Sequence, residues 1–287
     1  SLSFGKEKLL FSANNLETIS NDTINKRIFQ NNVQIQKEDL YLFSDLATHY
    51  PNLFQIHLSG KVRMYSLMDS LFCDELILYD QDLTRFNASG NINFHKNNQK
   101  IQSKNLNYFT LDTLNNVEIQ LDGNIIVSDT LRTIYGDSLL LNYQDSLISK
   151  FIIKNNAKII NSRYAKINSQ SIPQVFNDIF ENKKIKIDFE NNYIKYIEMN
   201  GMSSTKFNAI KDSIINGQNS LSGDSILIFL NNEQIDYMNI IGDARGVFYP
   251  EKNSSDIEFE LKYNADKIDY NLINEESYLI NNAKVEY

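Results

Sequence analysis

A chain of 287 residues with 42% hydrophobic and 22% charged residues is long enough to bury a substantial core and lacks the composition of a disordered polymer. A net charge of −8 and a pI of about 5.0 argue against a nucleic-acid partner, which needs a concentrated basic surface. The single cysteine, Cys73, excludes an internal disulfide framework, and no run reaches the ~20 apolar residues of a membrane-spanning helix.

Taken in chain order, the sequence is a series of short alternating segments set off by turn residues. The first is Asn31-Asn32-Val33-Gln34-Ile35, in which Val33 and Ile35 share one parity. Ile56-His57-Leu58 runs into Gly60-Lys61-Val62-Arg63-Met64, again alternating apolar with polar. That alternation is the period of a half-buried strand, and the leading glycine or asparagine supplies a turn where φ is positive. Between these phrases stands an aspartate, as in Asp45-Leu46 and Asp74-Glu75-Leu76. Leu71 and Cys73 share one parity while Leu76 and Leu78 share the other. The strand therefore changes phase at Asp74, as at a bend or bulge whose carboxylate satisfies backbone amides.

The glycine phrase returns at Gly90-Asn91-Ile92-Asn93-Phe94 and Gly123-Asn124-Ile125-Ile126-Val127, and more loosely at Asn156-Ala157-Lys158-Ile159, in steps of 30, 33 and 33 residues. The intervening phrase returns at Lys104-Asn105-Leu106 and at Asp137-Ser138-Leu139, followed by Leu141. Ser171 to Phe180 breaks the series. Ser171 suits a cap, Pro173 a first turn, and Ile172, Val175, Phe176 and Ile179 fall on one helical face, so this segment is expected to be a short inserted helix or loop. It divides the chain into a first half over residues 1–166, a connector over 167–184 and a second half over 185–287. Beyond it, Ile185 and Ile187 alternate. Asp224-Ser225-Ile226 leads to Ile228, and Gly242, Asp266 and Asn282 carry the last punctuation. The chain opens on Ser1 and stops at Lys284-Val285-Glu286-Tyr287, which reads as a mature or truncated piece.

Signatures of catalysis are missing from this pattern. His49, His57 and His95 lack ligand-like partners, and no nucleophile elbow, phosphate loop or zinc spacing occurs. The aspartates recur once per repeat at equivalent positions, which gives a ladder of turns and not the converging pair that a glycosidase needs. The reading is of a non-enzyme with no cofactor and no metal. Cys73, flanked by Leu71, Phe72 and Leu76, reads as a small buried hydrophobe.

The paired phrases resemble the OstA-like repeats of lipopolysaccharide-transport proteins. The resemblance is carried by Phe11-Ser12-Ala13-Asn14-Asn15-Leu16, Gly60-Lys61-Val62-Arg63-Met64, Leu71-Phe72-Cys73-Asp74-Glu75-Leu76, Ala88-Ser89-Gly90-Asn91-Ile92, Leu221-Ser222-Gly223-Asp224-Ser225-Ile226 and Asn264-Ala265-Asp266-Lys267-Ile268. Asn14 and Lys104 depart from the usual aspartate, and Cys73 from the usual small residue.

The resemblance implies an all-β jellyroll, a taco-shaped stack of antiparallel strands in two facing sheets. It also implies a periplasmic protein, whether free or tethered to the outer membrane within a larger chain. Its partners would be the acyl chains of lipopolysaccharide and, through edge-strand addition, other jellyroll transport proteins. The expected lipid-groove residues are Val33, Ile35, Ile56, Leu58, Val62, Met64, Leu76, Leu78, Ile92, Phe94, Ile125, Val127, Leu139, Leu141, Ile226 and Ile228, any of which would serve equally in a closed core. The expected turn residues are Gly60, Gly90, Gly123, Gly242, Asp74, Asp137, Asp224 and Asp266. Two other classes fit the same repeat: a cell-surface β-solenoid of adhesin type, and a carbohydrate-active enzyme on a parallel β-helix.

Overall fold

The computed structural model describes residues 9–21, 25–67, 69–80, 84–96, 98–111, 116–145, 147–231, 234–252, 258–274 and 276–287. The chain clusters into two compact units, Ser1–Val127 and Ser128–Tyr287. The first unit holds β1 (Leu10–Ser12), β2 (Asn15–Ser20), β3 (Asn25–Lys37), β4 (Leu40–Tyr50), β5 (Gln55–Tyr65), β6 (Ser70–Leu78), β7 (Arg85–Lys96), β8 (Gln99–Thr110) and β9 (Val117–Ser128). The second holds β10 (Arg132–Gln144), β11 (Leu147–Ala165), β12 (Gln174–Glu190), β13 (Tyr193–Lys211), β14 (Ile214–Asn231), β15 (Gln234–Pro250), β16 (Leu261–Asn271), β17 (Glu276–Ile280) and β18 (Lys284–Glu286).

Within each unit consecutive strands pair antiparallel, as in Ile56↔Leu78 between β5 and β6 or Ile197↔Ile228 between β13 and β14, except that β1 pairs with β3 and β18 with β16. Antiparallel ladders remove the parallel β-helix enzyme, whose strands all run one way. The fold is an all-β jellyroll.

Each long strand is folded at its middle by a bulge that sets two residues against one. Between β5 and β6 the register jumps from Ser59↔Glu75 to Val62↔Cys73, so Gly60 and Lys61 together face Asp74. Both are in the left-handed region, at φ +78 and +48. The same paired conformation recurs at Asn31-Asn32, Gly90-Asn91, Gly123-Asn124, Asn155-Asn156, Gly201-Met202, Gly242-Asp243 and Asn281-Asn282. Glycine and asparagine dominate because they alone enter that region at little cost. The strand with the extra residue keeps one inward parity across the corner, as at Ile56, Leu58, Val62 and Met64 of β5, while its partner changes parity, so both arms of each strand bury side chains. In β6, Leu71 and Cys73 are buried before the corner and Leu76 and Leu78 after it.

One expectation is corrected. The segment expected to be helical is strand from Gln174 onward. The ladder from Lys150↔Asp188 to Ala165↔Gln174 ties β12 to β11, leaving only residues 166–173 as the connecting turn. Continuous pairing on that flank, and with β13 on the other, overrides a weak local helical pattern. The compact units divide at Val127/Ser128. The one helical element among the described residues is a single 3-10 turn, Pro51–Leu53, between β4 and β5.

Candidate functional site

Within each unit we call arm A the N-terminal halves of odd-numbered strands and the C-terminal halves of even-numbered ones; arm B is the rest. In the first unit, Ile56, Leu58, Leu76 and Leu78 lie on arm A. Val33, Ile35, Val62, Met64, Ile92, Phe94, Ile125 and Val127 lie on arm B. In the second unit Leu139, Leu141, Ile226 and Ile228 lie on arm A. All sixteen side chains face the interior, and none is more than 7% exposed. The strands bring them together as rows across each sheet, for example Ile56 opposite Leu78 and Val62 opposite Cys73. In this conformation the interior at these positions is covered from solvent.

The turn residues form a second ladder along the corner line. A Cβ on Gly90 would lie 2.3 Å from an Asp74 carboxylate oxygen, and one on Gly242 2.2 Å from that of Asp224. At Gly60 the neighbour is Asp45, and at Gly123 it is Lys104. The carboxylates accept from side-chain amides on the following corner: Asn91 Nδ2 donates to Asp74 at 2.8 Å, Asn156 Nδ2 to Asp137 at 2.8 Å and Asn282 Nδ2 to both oxygens of Asp266. These asparagines follow each glycine or asparagine of the repeat. Their dual role, tolerating φ above zero and clasping the neighbouring aspartate, is a signal that spacing alone does not reveal. No group of three or more His, Cys, Asp or Glu able to hold a metal occurs among the described residues.

Cys73 sits on the arm B side of its corner, opposite Val62. Burial, and then the Asp74 carboxylate, push its thiol up to about 12. The folded protein is therefore expected to react with a thiol reagent at pH 8 on the order of a thousandfold more slowly than the chain in denaturant. Stopped-flow labelling measures this directly. Native reaction at the free-thiol rate would show that the first unit opens freely at its corner.

The second unit contains what the sequence reading missed. Its arm A is apolar inside, with Ile187, Ile197, Met199, Ile226, Ile228 and Met238 fully buried. Its arm B buries Ile159, Phe180, Phe207 and Leu221 and, among them, a set of polar groups. Asp178, 1% exposed, forms an ion pair with Arg163 Nε at 2.6 Å. It also accepts from the Asn208 backbone N–H at 2.9 Å and the Asn208 Nδ2 at 3.1 Å, while the Arg163 guanidinium donates to the Asn208 carbonyl at 2.7 Å. Further along, Asn219 Nδ2 donates to the Tyr270 hydroxyl at 3.2 Å, across from arm B to arm A. Gly246 leaves room for the Tyr263 ring, whose hydroxyl donates to Asn219 Oδ1 at 3.4 Å. Phe207 and Tyr270 meet edge to face at 5.6 Å. Arm B thus carries a hydrogen-bonded cluster within its interior, clasped to arm A through Tyr270, and hydrocarbon is poorly matched to that cluster.

The described surface also contains a depression of about 530 Å³ between the 166–173 turn and the 212–213 turn, with Lys166 and Asp212 on its rim. It lies apart from the candidate lipid-facing residues.

Compared with known families, residues 6–170 match one described as OstA-like protein, more than half of the chain. No curated protein matches the sequence. The corner geometry continues beyond the matched residues, at Gly201-Met202, Gly242-Asp243 and Asn281-Asn282.

Proposed function

This chain belongs to the OstA-like family, and from that premise we propose that it shields the acyl chains of lipopolysaccharide between its β arms while the lipid crosses the periplasm. The general role in lipopolysaccharide transport, by a non-enzymatic scaffold, follows from the family; the binding mode is our reading. The observation that supports it is the pair of aliphatic rows, one on each arm of the strands, which meet at the corner line.

A saturated chain of about a dozen carbons costs on the order of 10 kcal/mol to expose to water, at ~0.8 kcal/mol per methylene. Between the arms that cost disappears. The arms are joined by backbone along the corner line. Where their facing surfaces are apolar, an entering acyl chain exchanges side-chain contacts for equivalent contacts with itself. Separating the arms therefore needs little net free energy once lipid fills the gap, although the empty interior is closed. The short terminal strands, β1 and β2 on β3, and β17 and β18 on β16, suit edge addition of a neighbouring jellyroll on either side. In the cell the chain works in the periplasm, alone or as part of a longer protein held at the outer membrane.

The test is photo-crosslinking to radiolabelled lipopolysaccharide with delipidated protein. A photoreactive residue at Val62, Leu139 or Ile228 is expected to capture lipid, and one at the outward Arg63 is expected not to. Silence at all three inward positions, or equal capture at Arg63, would instead make the closed interior a purely structural core.

A further inference from the structure

The outer face of arm A in the second unit carries a row of aromatic rings, one per strand. Tyr196 on β13 stands directly opposite Phe229 on β14, which stands opposite Tyr237 on β15. Their sequence neighbours Ile197, Ile228 and Met238 are fully buried, so these three rings point outward. The ring centroids are 5.0 and 5.9 Å apart, with planes tilted by 50° and 47°. Phe229 is 43% exposed. The Lys186 ammonium lies 5.8 Å from the Tyr196 ring centroid.

Two residues further along the same face runs a polar row. Lys186 pairs across the strands with Glu198 and Asn239 with Asp269, and Leu227 stands between Glu198 and Asn239, splitting the row into two polar pairs. Lys186 bonds Asp188 at 2.9 Å and reaches Glu198 at 3.6 Å. Asn239 donates to Asp269, and Lys267 bonds Asp269 at 2.9 Å. The aromatic row is thus bordered beside Tyr196 and Tyr237 by amide, carboxylate and ammonium groups, the functions that hydroxyl-rich ligands require, and beside Phe229 by Leu227.

We propose that this face is a binding strip for a neutral oligosaccharide, whose sugar rings lie against Tyr196, Phe229 and Tyr237 and whose hydroxyls bond the bordering polar row. Three features select that ligand. The rings are set at strand spacing, close to the length of one sugar unit, and their tilt suits a chain whose faces rotate from unit to unit better than one flat aromatic molecule. Two ammonium groups stand among three carboxylates, so the strip does not attract phosphate or nucleic acid. The outer aromatic cluster of the first unit differs in geometry: Phe43, Tyr65 and Phe72 contact edge to face, with the Arg63 guanidinium over the Phe43 ring at 5.3 Å. Sugar binding on the outer face is independent of lipid shielding inside, so failure of one leaves the other standing.

Affinity electrophoresis of the full chain in gels containing soluble starch, dextran, hydroxyethyl cellulose or the deacylated sugar chain of lipopolysaccharide tests the proposal. At least one neutral glycan is expected to retard the protein. Phe229→Ala and Tyr237→Ala should each weaken binding by roughly tenfold, whereas Phe43→Ala should not. The protein has no tryptophan, so Phe229→Trp places a sole reporter in the strip; its emission should shift with added glycan and binding should be retained. Circular dichroism checks that each variant is folded. The proposal is overturned by no retardation in any gel, by retardation that Phe229→Ala leaves unchanged, or by a wild-type dimer in sedimentation velocity that Phe229→Ala dissociates.

Discussion

Gly242→Ala destabilises the second unit by about 3 kcal/mol, while Gly201→Ala costs only about 1 kcal/mol. Both glycines occupy the first position of a left-handed corner, at φ +75 and +85, so the backbone strain added by a side chain is nearly the same. Their surroundings differ. A Cβ at Gly242 would meet the Asp224 carboxylate oxygen at 2.2 Å and its Cβ at 2.8 Å, whereas one at Gly201 meets nothing within 4 Å. The oxygen can rotate away; the Asp224 Cβ is fixed to its strand. The excess cost is therefore steric coupling between adjacent corners, and Gly242→Ala combined with Asp224→Gly should regain about 1–2 kcal/mol relative to the sum of the single changes. Urea unfolding of the full chain, followed by circular dichroism, reads the wild type and the four variants. Equal losses at Gly201 and Gly242 would remove the stacked-corner account. Gly90 faces Asp74 in the same way, at 2.3 Å, so Gly90→Ala extends the measurement to the first unit.

The corners are legible in the sequence because their chemistry is local. A glycine or asparagine that must enter the left-handed region announces itself, and so does the parity change from Leu71 and Cys73 to Leu76 and Leu78. What depends on register is not legible. In the 171–180 segment Ile172, Val175, Phe176 and Ile179 suggest a helical stripe, yet Ile172 and Val175 are exposed and Asp178 and Phe180 point inward. The inward direction of Asp178 is fixed by Arg163 two ladder positions away on β11 and by Asn208 on β13, and no local pattern contains those partners. The same limit hides the aromatic row: Tyr196, Phe229 and Tyr237 are scattered over more than forty residues and meet only through strand pairing. The candidate interior was readable as one face. Its closure was not, since alternation reports a shared side and says nothing of what covers it.

Arg163→Met should lower stability by about 3–4 kcal/mol, the cost of leaving a buried carboxylate without its counter-charge. Asp178 is 1% exposed and would keep only the two donors of Asn208. Adding Asp178→Asn removes the charge yet preserves an acceptor for Asn208, so the double variant is expected to recover most of the loss, again by urea unfolding. If the double variant stays as unstable as Arg163→Met, the guanidinium contributes packing and its bond to the Asn208 carbonyl, not charge neutralisation. The pair also bears on the proposed lipid route. An acyl chain driven along arm B of the second unit would have to lie against Arg163, Asp178, Asn208 and Asn219, displacing hydrogen bonds that hydrocarbon cannot replace. Lipid would therefore follow Ile187, Ile197 and Ile228 on arm A. A photoreactive residue at Ile187 should capture lipopolysaccharide, whereas one at Asn161, which pairs with Asp178, should stay silent in the wild-type background. Capture at Asn161 equal to that at Ile187 would mean that the polar interior separates as readily as the apolar one, and would leave the Arg163–Asp178 pair with no part in guiding the lipid.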